Sequence, residues 1–347
     1  MTFERRRGVM RTEATTRFRE EDRRDLGEMR LPLPVRFVVP LSGGRVARLN
    51  SATLGARATV SAALLASAFA VWWFAARGVG IFEFIVFMAM YLVSAIGVSV
   101  GYHRLFSHHA FGAPIVIRAM LGIFGAIAMQ GHISYWASIH RKHHRFADGP
   151  EDPHSPRRRG GGRMSGIASF YHGFIGWMFD GSFCLYADYV ADLTRDPLVR
   201  WIDRYYPLWI AGGIVLPGIA GAIWYGTTDG YLSCLLAGGP LRVVYGFVAS
   251  GLVNSLAHVA GRQPFPTDDN SRNNPIVSTV SLTGEGLHNN HHEFPYSASF
   301  ALLPGQVDVG FLFIRALARI GWVRDVRLVP TAAIAKHLVR PWSTAAN

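Results

Sequence analysis

Cysteine is nearly absent from this sequence, which has only Cys184 and Cys234 among its 347 residues. Two cysteines cannot build a disulfide framework or a cysteine-based metal site, so we expect both to be small buried apolar residues. The sequence also lacks a glycine-rich flavin or nicotinamide fingerprint, a haem-binding motif of the cytochrome b5 type and any nucleic-acid-binding motif. Any redox chemistry in this chain must therefore depend on other side chains and on electrons from a separate protein.

Acidic residues are outnumbered by basic ones, 23 to 35, which gives a formal net charge of +12. Because no nucleic-acid-binding motif accompanies this charge, it favours a cytoplasmic face against anionic lipid, or an acidic substrate carrier or electron-transfer partner, over nucleic acid. Residues 1–50 are rich in arginine and have no apolar run long enough for a signal peptide. We expect them to form a flexible basic cytosolic arm.

Hydrophobic residues make up 50% of the chain and its mean hydropathy is +0.19, which favours an integral membrane protein. Four apolar segments are long enough to span a bilayer, at about residues 56–76, 80–101, 207–225 and 231–257. Arginine crowds the arm and residues 141–204, whereas the two turns on the other side hold only Arg77. The positive-inside rule therefore predicts that both termini are cytoplasmic.

Histidine carries the strongest pattern in the sequence. His288-x-x-His291-His292 and His140-x-x-His143-His144 have the same spacing, in which the three imidazoles share one face of a helix and can converge on a metal. His103 and His108 form a third box, and because an i,i+5 pair points about 140° apart on a regular helix, we expect the helix to end or distort there. One metal ion cannot bind this many imidazoles, and the count therefore predicts two metals. Nitrogen-rich ligation leaves iron, zinc or copper open.

The order of these boxes, with long apolar segments between them, resembles the membrane fatty-acid desaturases, in particular the acyl-CoA Δ9 (stearoyl-CoA-type) group. Further matches are Asp152-Pro153-His154, Gly176-Trp177, Asn254-Ser255-Leu256-Ala257-His258 and Gly284-Glu285-Gly286. The resemblance covers about residues 80–330 and leaves the first fifty residues unexplained. It implies an all-α integral membrane fold, in which four transmembrane helices carry a cytosolic helical cap with a histidine-ligated di-iron site. The desaturase domain would span residues 51–330, and residues 331–347 would form a C-terminal tail.

The resemblance also implies the ligands of two iron ions, five imidazoles on one iron and four plus a water on the other. The ligands would be His103, His108, His140, His143, His144, His258, His288, His291 and His292. Asn254 would hold the water from a position one helical turn before His258, and Gln130 and Trp136 match residues that line the acyl tunnel. His109 would not be a ligand, and His154 would hydrogen-bond beside the ligands. Asp148, Glu151 and Asp152 could serve the same end or form a solvated acidic loop.

The implied function is an O2-dependent desaturase that introduces a cis double bond, most simply at Δ9, into a long-chain acyl thioester such as acyl-CoA. Attack on an unactivated methylene needs a redox metal, which fits iron and not zinc. Electrons would come from a separate ferredoxin-like or cytochrome b5-like protein with its NAD(P)H reductase. Animal acyl-CoA enzymes carry an Arg-Lys pair where this chain has Met178-Phe179-Asp180, which leaves the carrier open.

Three alternative functions remain at this point. An acyl-lipid desaturase or a membrane fatty-acyl hydroxylase would be built on the same boxes, and product analysis would separate them from an acyl thioester desaturase. A metal transporter using intramembrane histidines would place its ligands in the middle of the spans, whereas nearly all of the histidines here lie at the predicted cytosolic ends.

Overall fold

In the part of the chain that the structure describes, four helices are long and apolar enough to cross a membrane. They extend over Arg57–Arg77, Ile81–Ser107, Tyr206–Tyr225 and Thr228–His258. Each coincides with a predicted span, and apolar side chains such as Leu65, Ile81 and Ile223 are 73%, 75% and 80% exposed. Large apolar residues are rarely exposed in such numbers on a water-soluble protein, so these surfaces suit contact with lipid.

The computed structural model describes residues 36–40, 46–159, 162–163, 165–179 and 186–338. The α-helices are α1 (Ser51–Arg77), α2 (Ile81–Ile96), α3 (Ile115–Ala126), α4 (Ile133–Phe146), α5 (Gly166–Phe174), α6 (Ala191–Arg195), α7 (Pro197–Arg204), α8 (Tyr206–Tyr225), α9 (Thr228–Leu236), α10 (Arg242–Asn254), α11 (Pro275–Ser281), α12 (His288–Glu293), α13 (Val309–Arg319) and α14 (Thr331–His337). Two π-helices cover Gly97–Ser107 and Ala237–Leu241, and 3₁₀ turns cover Gly176–Phe179, Ala187–Tyr189 and Leu256–His258. The described chain is thus mostly helical, as predicted.

Two short hairpins are the only strands in the described part of the chain. The described residues divide into one unit that ends at Ser51 and another that begins at Ala52. In the first unit, β1 (Arg36–Pro40) pairs antiparallel with β2 (Val46–Asn50). In the second, β3 (Arg158–Arg159) pairs with β4 (Gly162–Arg163). The rest of the predicted arm and the end of the predicted tail lie outside the described residues, so both remain predictions.

The first histidine box lies on a π-helix. This helix continues α2 from Gly97 to Ser107, so the second span runs past its predicted end at residue 101. In a π-helix each N–H bonds to the carbonyl five residues earlier, and the His108 amide does so with His103 at 3.2 Å. Residues at i and i+5 are therefore brought onto one side. The predicted distortion at this box is confirmed, and it is what lets both rings point the same way.

Close backbone packing brings the first two boxes together. A Cβ at Gly97 would lie only 2.1 Å from backbone atoms of Phe124 and Gly125, so the π-helix and α3 pack together almost backbone to backbone. The chain then turns into α4, where His132 caps the helix by accepting a hydrogen bond from the Tyr135 amide. Helix α4 carries the second box along the side of the π-helix.

A fully buried cation joins the first box to the segments around the third. Arg104 has no exposed surface and donates to both carboxylate oxygens of Asp308 at 3.0 Å and to the Thr283 carbonyl at 3.2 Å. Its guanidinium also lies 3.8 Å from the ring centre of Phe300. Separating Arg104 from Asp308 would leave a buried charge without a partner, which is costly. This contact therefore holds the start of α13 against the π-helix.

Arg242 is a buried cation that the sequence analysis overlooked. It falls inside the predicted fourth span and is only 1% exposed. The span itself is irregular, because α9 passes into a π-helical turn at residues 237–241 before α10 begins. The span ends irregularly as well. Asn254 is the last residue of α10 and His258 lies on a 3₁₀ turn, so the expected regular helical turn between them was wrong.

Candidate metal centre

The nine histidines predicted from the boxes and from His258 gather into two groups. One group is His103, His108, His140, His144 and His291, and the other is His143, His258, His288 and His292. Within each group the nearest ring nitrogens lie within 4.8 Å of one another. The structure thus divides the nine imidazoles five and four, the numbers that the resemblance implied.

The Nε2 atoms of the five-histidine group point to one place. The Nε2 atoms of His103 and His291 are 2.9 Å apart, and those of His291 and His144 are 2.8 Å apart. His108 and His140 approach through the same atoms at 2.7 Å. Three elements, namely the π-helix with its C-terminal cap His108, α4 and α12, supply these rings.

The four-histidine group is built in the same way. The Nε2 atoms of His258 and His288 lie 2.9 Å apart, and those of His143 and His292 lie 3.3 Å apart. His258 comes from the end of the fourth span and is fully buried. A residue outside the three boxes therefore completes this group.

Each three-histidine box divides between the two groups, which corrects the expectation that its three imidazoles converge on one metal. In both boxes the i and i+4 residues stay together and the i+3 residue joins the other group, His143 in one case and His291 in the other. Consecutive residues of a helix are about 100° apart, so the i+3 and i+4 side chains leave the helix in different directions. One short helix can thereby serve two sites.

Four of the grouped histidine rings have a carboxylate next to Nδ1, the nitrogen that faces away from the group. The Nδ1 atoms of His103, His143, His258 and His292 lie 2.9, 3.0, 3.0 and 2.7 Å from oxygens of Glu285, Asp152, Asp148 and Asp269, respectively. A carboxylate on Nδ1 holds the proton there and leaves the Nε2 lone pair directed into the group, as metal-bound histidines require. Asp148 and Asp152 were expected near the ligands, whereas Asp269 and Glu285 were not given this role from sequence. No local spacing identified Asp269.

Burial keeps most of these imidazoles neutral. It is the largest cause of a lowered pKa in His108, His140, His144, His288, His291 and His292, and neighbouring imidazoles lower the pKa further. His143 differs, because burial would lower its pKa but the carboxylates of Asp152, Asp148 and Asp269 together outweigh burial and raise it. Burial would also raise the pKa of Asp152, yet the charge of His143 brings it below its ordinary value.

The donor set fits a metal. Neutral imidazoles that direct Nε2 lone pairs at one another repel unless a cation or a proton lies between them, and nine such groups are buried or half-buried here. An all-nitrogen set suits iron, copper or zinc, and two separate groups suit two ions. The described residues around these groups therefore have the chemistry of a two-metal site.

A cavity of about 930 Å³ reaches both groups of histidines. It is lined by His103 and His140 from one and by His143 and His288 from the other, and otherwise mainly by apolar and aromatic side chains. Gln130, Trp136 and Asn254 line it as well. The Trp136 indole donates to Gln130 Oε1 at 3.3 Å and stacks on His140, with ring centres 4.9 Å apart.

The remaining histidines lie outside the two groups. His109, whose side chain is 57% exposed, contacts Asp192 at 3.0 Å and Arg141 at 3.1 Å. His154 is buried beside His143, and burial lowers its pKa to about 3. His132 caps α4, as described above. Cys234 is buried and free, as predicted, while Cys184 lies outside the described residues.

Comparisons with known proteins identify a family and several relatives for this chain. A family model of fatty acid desaturases matches residues 83–304. The chain is 37% identical over 266 residues, 76% of its length and 81% of the relative's, to the hex-5-enoyl-(acyl-carrier protein) acetylenase of Moorena producens. It is 33% identical over 258 residues to the stearoyl-CoA desaturase of Sus scrofa, covering 73% and 68% of the two chains. It is also 33% identical over 248 residues to the chloroplastic palmitoyl-monogalactosyldiacylglycerol delta-7 desaturase of Arabidopsis thaliana, covering 69% and 60%.

The family model covers more than half of the chain, and the matched region contains all nine clustered histidines. The spans, the grouped imidazoles and the relatives all indicate the same class of enzyme. This chain belongs to the fatty acid desaturase family and is an oxidoreductase of that family.

Proposed function

We propose that this protein is an integral-membrane, O2-dependent desaturase that introduces a cis double bond into a long-chain acyl thioester. The observation that carries the proposal is the position of two all-imidazole groups on the wall of one largely apolar cavity. Such a cavity suits an acyl chain, because it removes apolar surface from water while exposing one stretch of the chain to the metals.

The five-histidine group would hold one iron and the four-histidine group the other. Asn254 lines the cavity beside His143 and His288, which supports a role in holding a water on the second iron. Iron would supply the redox chemistry by which O2 attacks an unactivated C–H bond, a step that no side chain can perform. Glu285, Asp148, Asp152 and Asp269 orient ligand rings, and the apolar wall excludes bulk water.

Gln130 and Trp136 would fix the course of the acyl chain. The Gln130 amide donates to Ser250 Oγ at 2.7 Å while its oxygen accepts from Trp136, so one amide joins α4 to α10 across the cavity wall. Because Trp136 stacks on His140, a chain that follows this wall passes close to the five-histidine group. A fixed path past the metals is what sets the position of a double bond, which we propose to be Δ9.

The carrier of the acyl chain is proposed to be a thioester, with acyl-CoA as the first candidate. The relatives' names include a CoA thioester, an acyl-carrier protein and a galactolipid, so both thioester carriers and a membrane lipid belong in the test. The sequence Met178-Phe179-Asp180 lacks the Arg-Lys pair of animal acyl-CoA enzymes, which makes the acyl-carrier protein the comparison of most interest.

Orientation and electron supply complete the proposal. The excess of arginine in residues 1–50 and 141–204 supports cytoplasmic termini and a cytoplasmic metal centre. Electrons would come from a separate ferredoxin-like or cytochrome b5-like protein with its NAD(P)H reductase, and the positive charge of the chain suits an acidic donor.

Expression in a desaturase-deficient host, followed by mass spectrometry of total fatty acids, tests the proposal. A cis-monounsaturated product that is absent with the His291→Ala variant is expected. Purified protein in liposomes, given O2, a reductase and donor, and acyl-CoA, acyl-(acyl-carrier protein) or phospholipid in parallel, then identifies the carrier. A hydroxylated product would replace the desaturase proposal with a fatty-acyl hydroxylase, and turnover of the phospholipid alone would make the protein an acyl-lipid desaturase.

A further inference from the structure

A second cavity of about 450 Å³ adjoins the one that reaches the metal groups. The two cavities share the lining residues Val98, Gln130, Ser250, Val253 and Glu285, so the same side chains form part of the wall of both. Along α10 the second cavity extends from Val253 to Arg242, which is about 16 Å at 1.5 Å per residue. It therefore leads away from the metal groups and into the membrane-spanning part of the molecule.

Arg242 lies at the deep end of this second cavity and has no carboxylate partner among the residues that the structure describes. Its guanidinium donates to the carbonyls of Gly238 at 2.9 Å and Gly213 at 3.0 Å, to the Ile127 carbonyl, and to Ser94 Oγ at 3.4 Å. A cation within a spanning segment is costly, and it is retained where its N–H groups find fixed acceptors. These acceptors belong to four different segments: the π-helical turn, α8, the end of α3 and α2.

Two of these contacts, with Ile127 and Ser94, act on the cavity wall. Ile127 closes α3 and is followed by Ala128 and Gln130, both of which line the second cavity. Ser94 lines the same cavity on the opposing helix α2. By holding the Ile127 carbonyl and the Ser94 hydroxyl together, Arg242 fixes how far α3 and α2 stand apart at the deep end.

The guanidinium also makes this end polar. Arg242 cannot move aside without leaving several buried carbonyls unpaired, and an unpaired buried polar group is costly. An acyl methyl end that reached it would have to pack against a desolvated cation. An acyl chain that followed this cavity along α10 would therefore meet Arg242 as a polar boundary.

We propose that Arg242 is a positioning residue that sets the longest acyl chain this protein can desaturate, by fixing the deep end of the second cavity. The inference rests on the proposed function, because it assumes that an acyl chain occupies both cavities. Replacing Arg242 with methionine keeps a long side chain, removes the charge and releases the Ile127 carbonyl. The variant should accept longer chains.

The test compares Arg242→Met, Arg242→Lys and wild type in liposomes, with mixed saturated acyl thioesters of graded length as competing substrates. Arg77→Met is the matched control, since Arg77 is a half-exposed cation at the end of α1 whose contacts are with Trp73 and Asp229. We expect Arg242→Met to raise the ratio of kcat/KM for the longest to the shortest substrate at least about 10-fold, the size of effect that one added methylene produces in an apolar pocket. Iron content should stay at the wild-type value, and Arg77→Met should keep the wild-type ratio.

Arg242→Lys retains the charge but loses the forked geometry, so it should shift the ratio less than methionine does. An unchanged ratio in Arg242→Met with normal iron content would overturn the inference and leave Arg242 as a helix-packing residue. If that variant fails to insert, the same ratio of kcat/KM for the longest to the shortest substrate is measured in Ser94→Ala. This change removes one Arg242 acceptor from the cavity wall with little loss of side-chain volume, so an unchanged ratio would again overturn the inference. Failure of the wild-type protein to desaturate any substrate would instead refute the proposed function.

Discussion

Glu285 lies behind His103, with its Oε2 atom 2.9 Å from the ring Nδ1. The same carboxylate accepts a hydrogen bond from Ser99 and lines both cavities. A ring held in this way can present its Nε2 atom in only one direction, toward His291 at 2.9 Å. The Gly-Glu-Gly sequence before the third box thus supplies a group that orients the first box.

Replacing Glu285 with glutamine should weaken the five-histidine site while leaving the fold intact. The amide is nearly the same size but lacks the charge that fixes the His103 tautomer, and such changes typically cost 10–100-fold in metal affinity or activity. Iron content and desaturation rate measure the effect. Glu293→Gln, which alters a carboxylate on α12 that contacts His337 instead of a grouped histidine, serves as the control. Equal behaviour of the two variants would contradict the role assigned to Glu285.

His108→Ala should abolish desaturation, whereas His109→Ala should retain most of it. The two residues are neighbours in sequence, but the Nε2 atom of His108 faces His140 at 2.7 Å while His109 contacts Asp192 and Arg141 on the surface. Product formation and iron content should both be measured at matched protein levels. Comparable loss in both variants would show that the ligand set is wrong.

Stability should fall as the pH falls below about 6.5, the ordinary pKa of an unfolded-state histidine. Burial lowers the folded-state pKa of six grouped histidines, so the unfolded chain takes up protons first and protonation favours unfolding. Protonation of His143 favours the folded state instead, because its folded-state pKa is raised. One such residue does not offset the six whose pKa is lowered. Thermal unfolding in detergent between pH 5 and 7.5 measures how the unfolding temperature depends on pH. A second series with a chelator separates this dependence from the effect of metal release. A flat profile in the chelator series would contradict the expectation.

Asn254→Leu should insert normally and retain the iron of the five-histidine group but lose most desaturation. Asn254 lines the cavity beside His143 and His288, where its amide can hold a water that leucine cannot. His258→Ala should lose the second iron more completely, because it removes a ring of the four-histidine group itself. Iron stoichiometry and turnover distinguish the cases, and a wild-type rate in Asn254→Leu would remove Asn254 from the site.

The sequence by itself determined the spans and the histidine boxes. Bilayer thickness requires a certain length of apolar helix, and that length can be counted along the chain, so the four segments were located within a few residues. The His103 and His108 pair also indicated a helix distortion, since i and i+5 cannot share a side of a regular helix. The structure contains the required π-helix at that place.

Only the tertiary structure decided which imidazoles belong together. Spacing put the three rings of a box on one face, but the i+3 ring of each box joins the other group, because segments distant in sequence close the space on both sides of the helix. The same reason applies to Asp269 and Arg242. Asp269 serves His292 across a loop, and Arg242 binds carbonyls of three segments and a hydroxyl of a fourth, so neither contact leaves a pattern along the chain. The length of an apolar helix and the spacing of histidines can be read directly from the sequence. The partner of a buried polar group is determined only when the whole chain has packed.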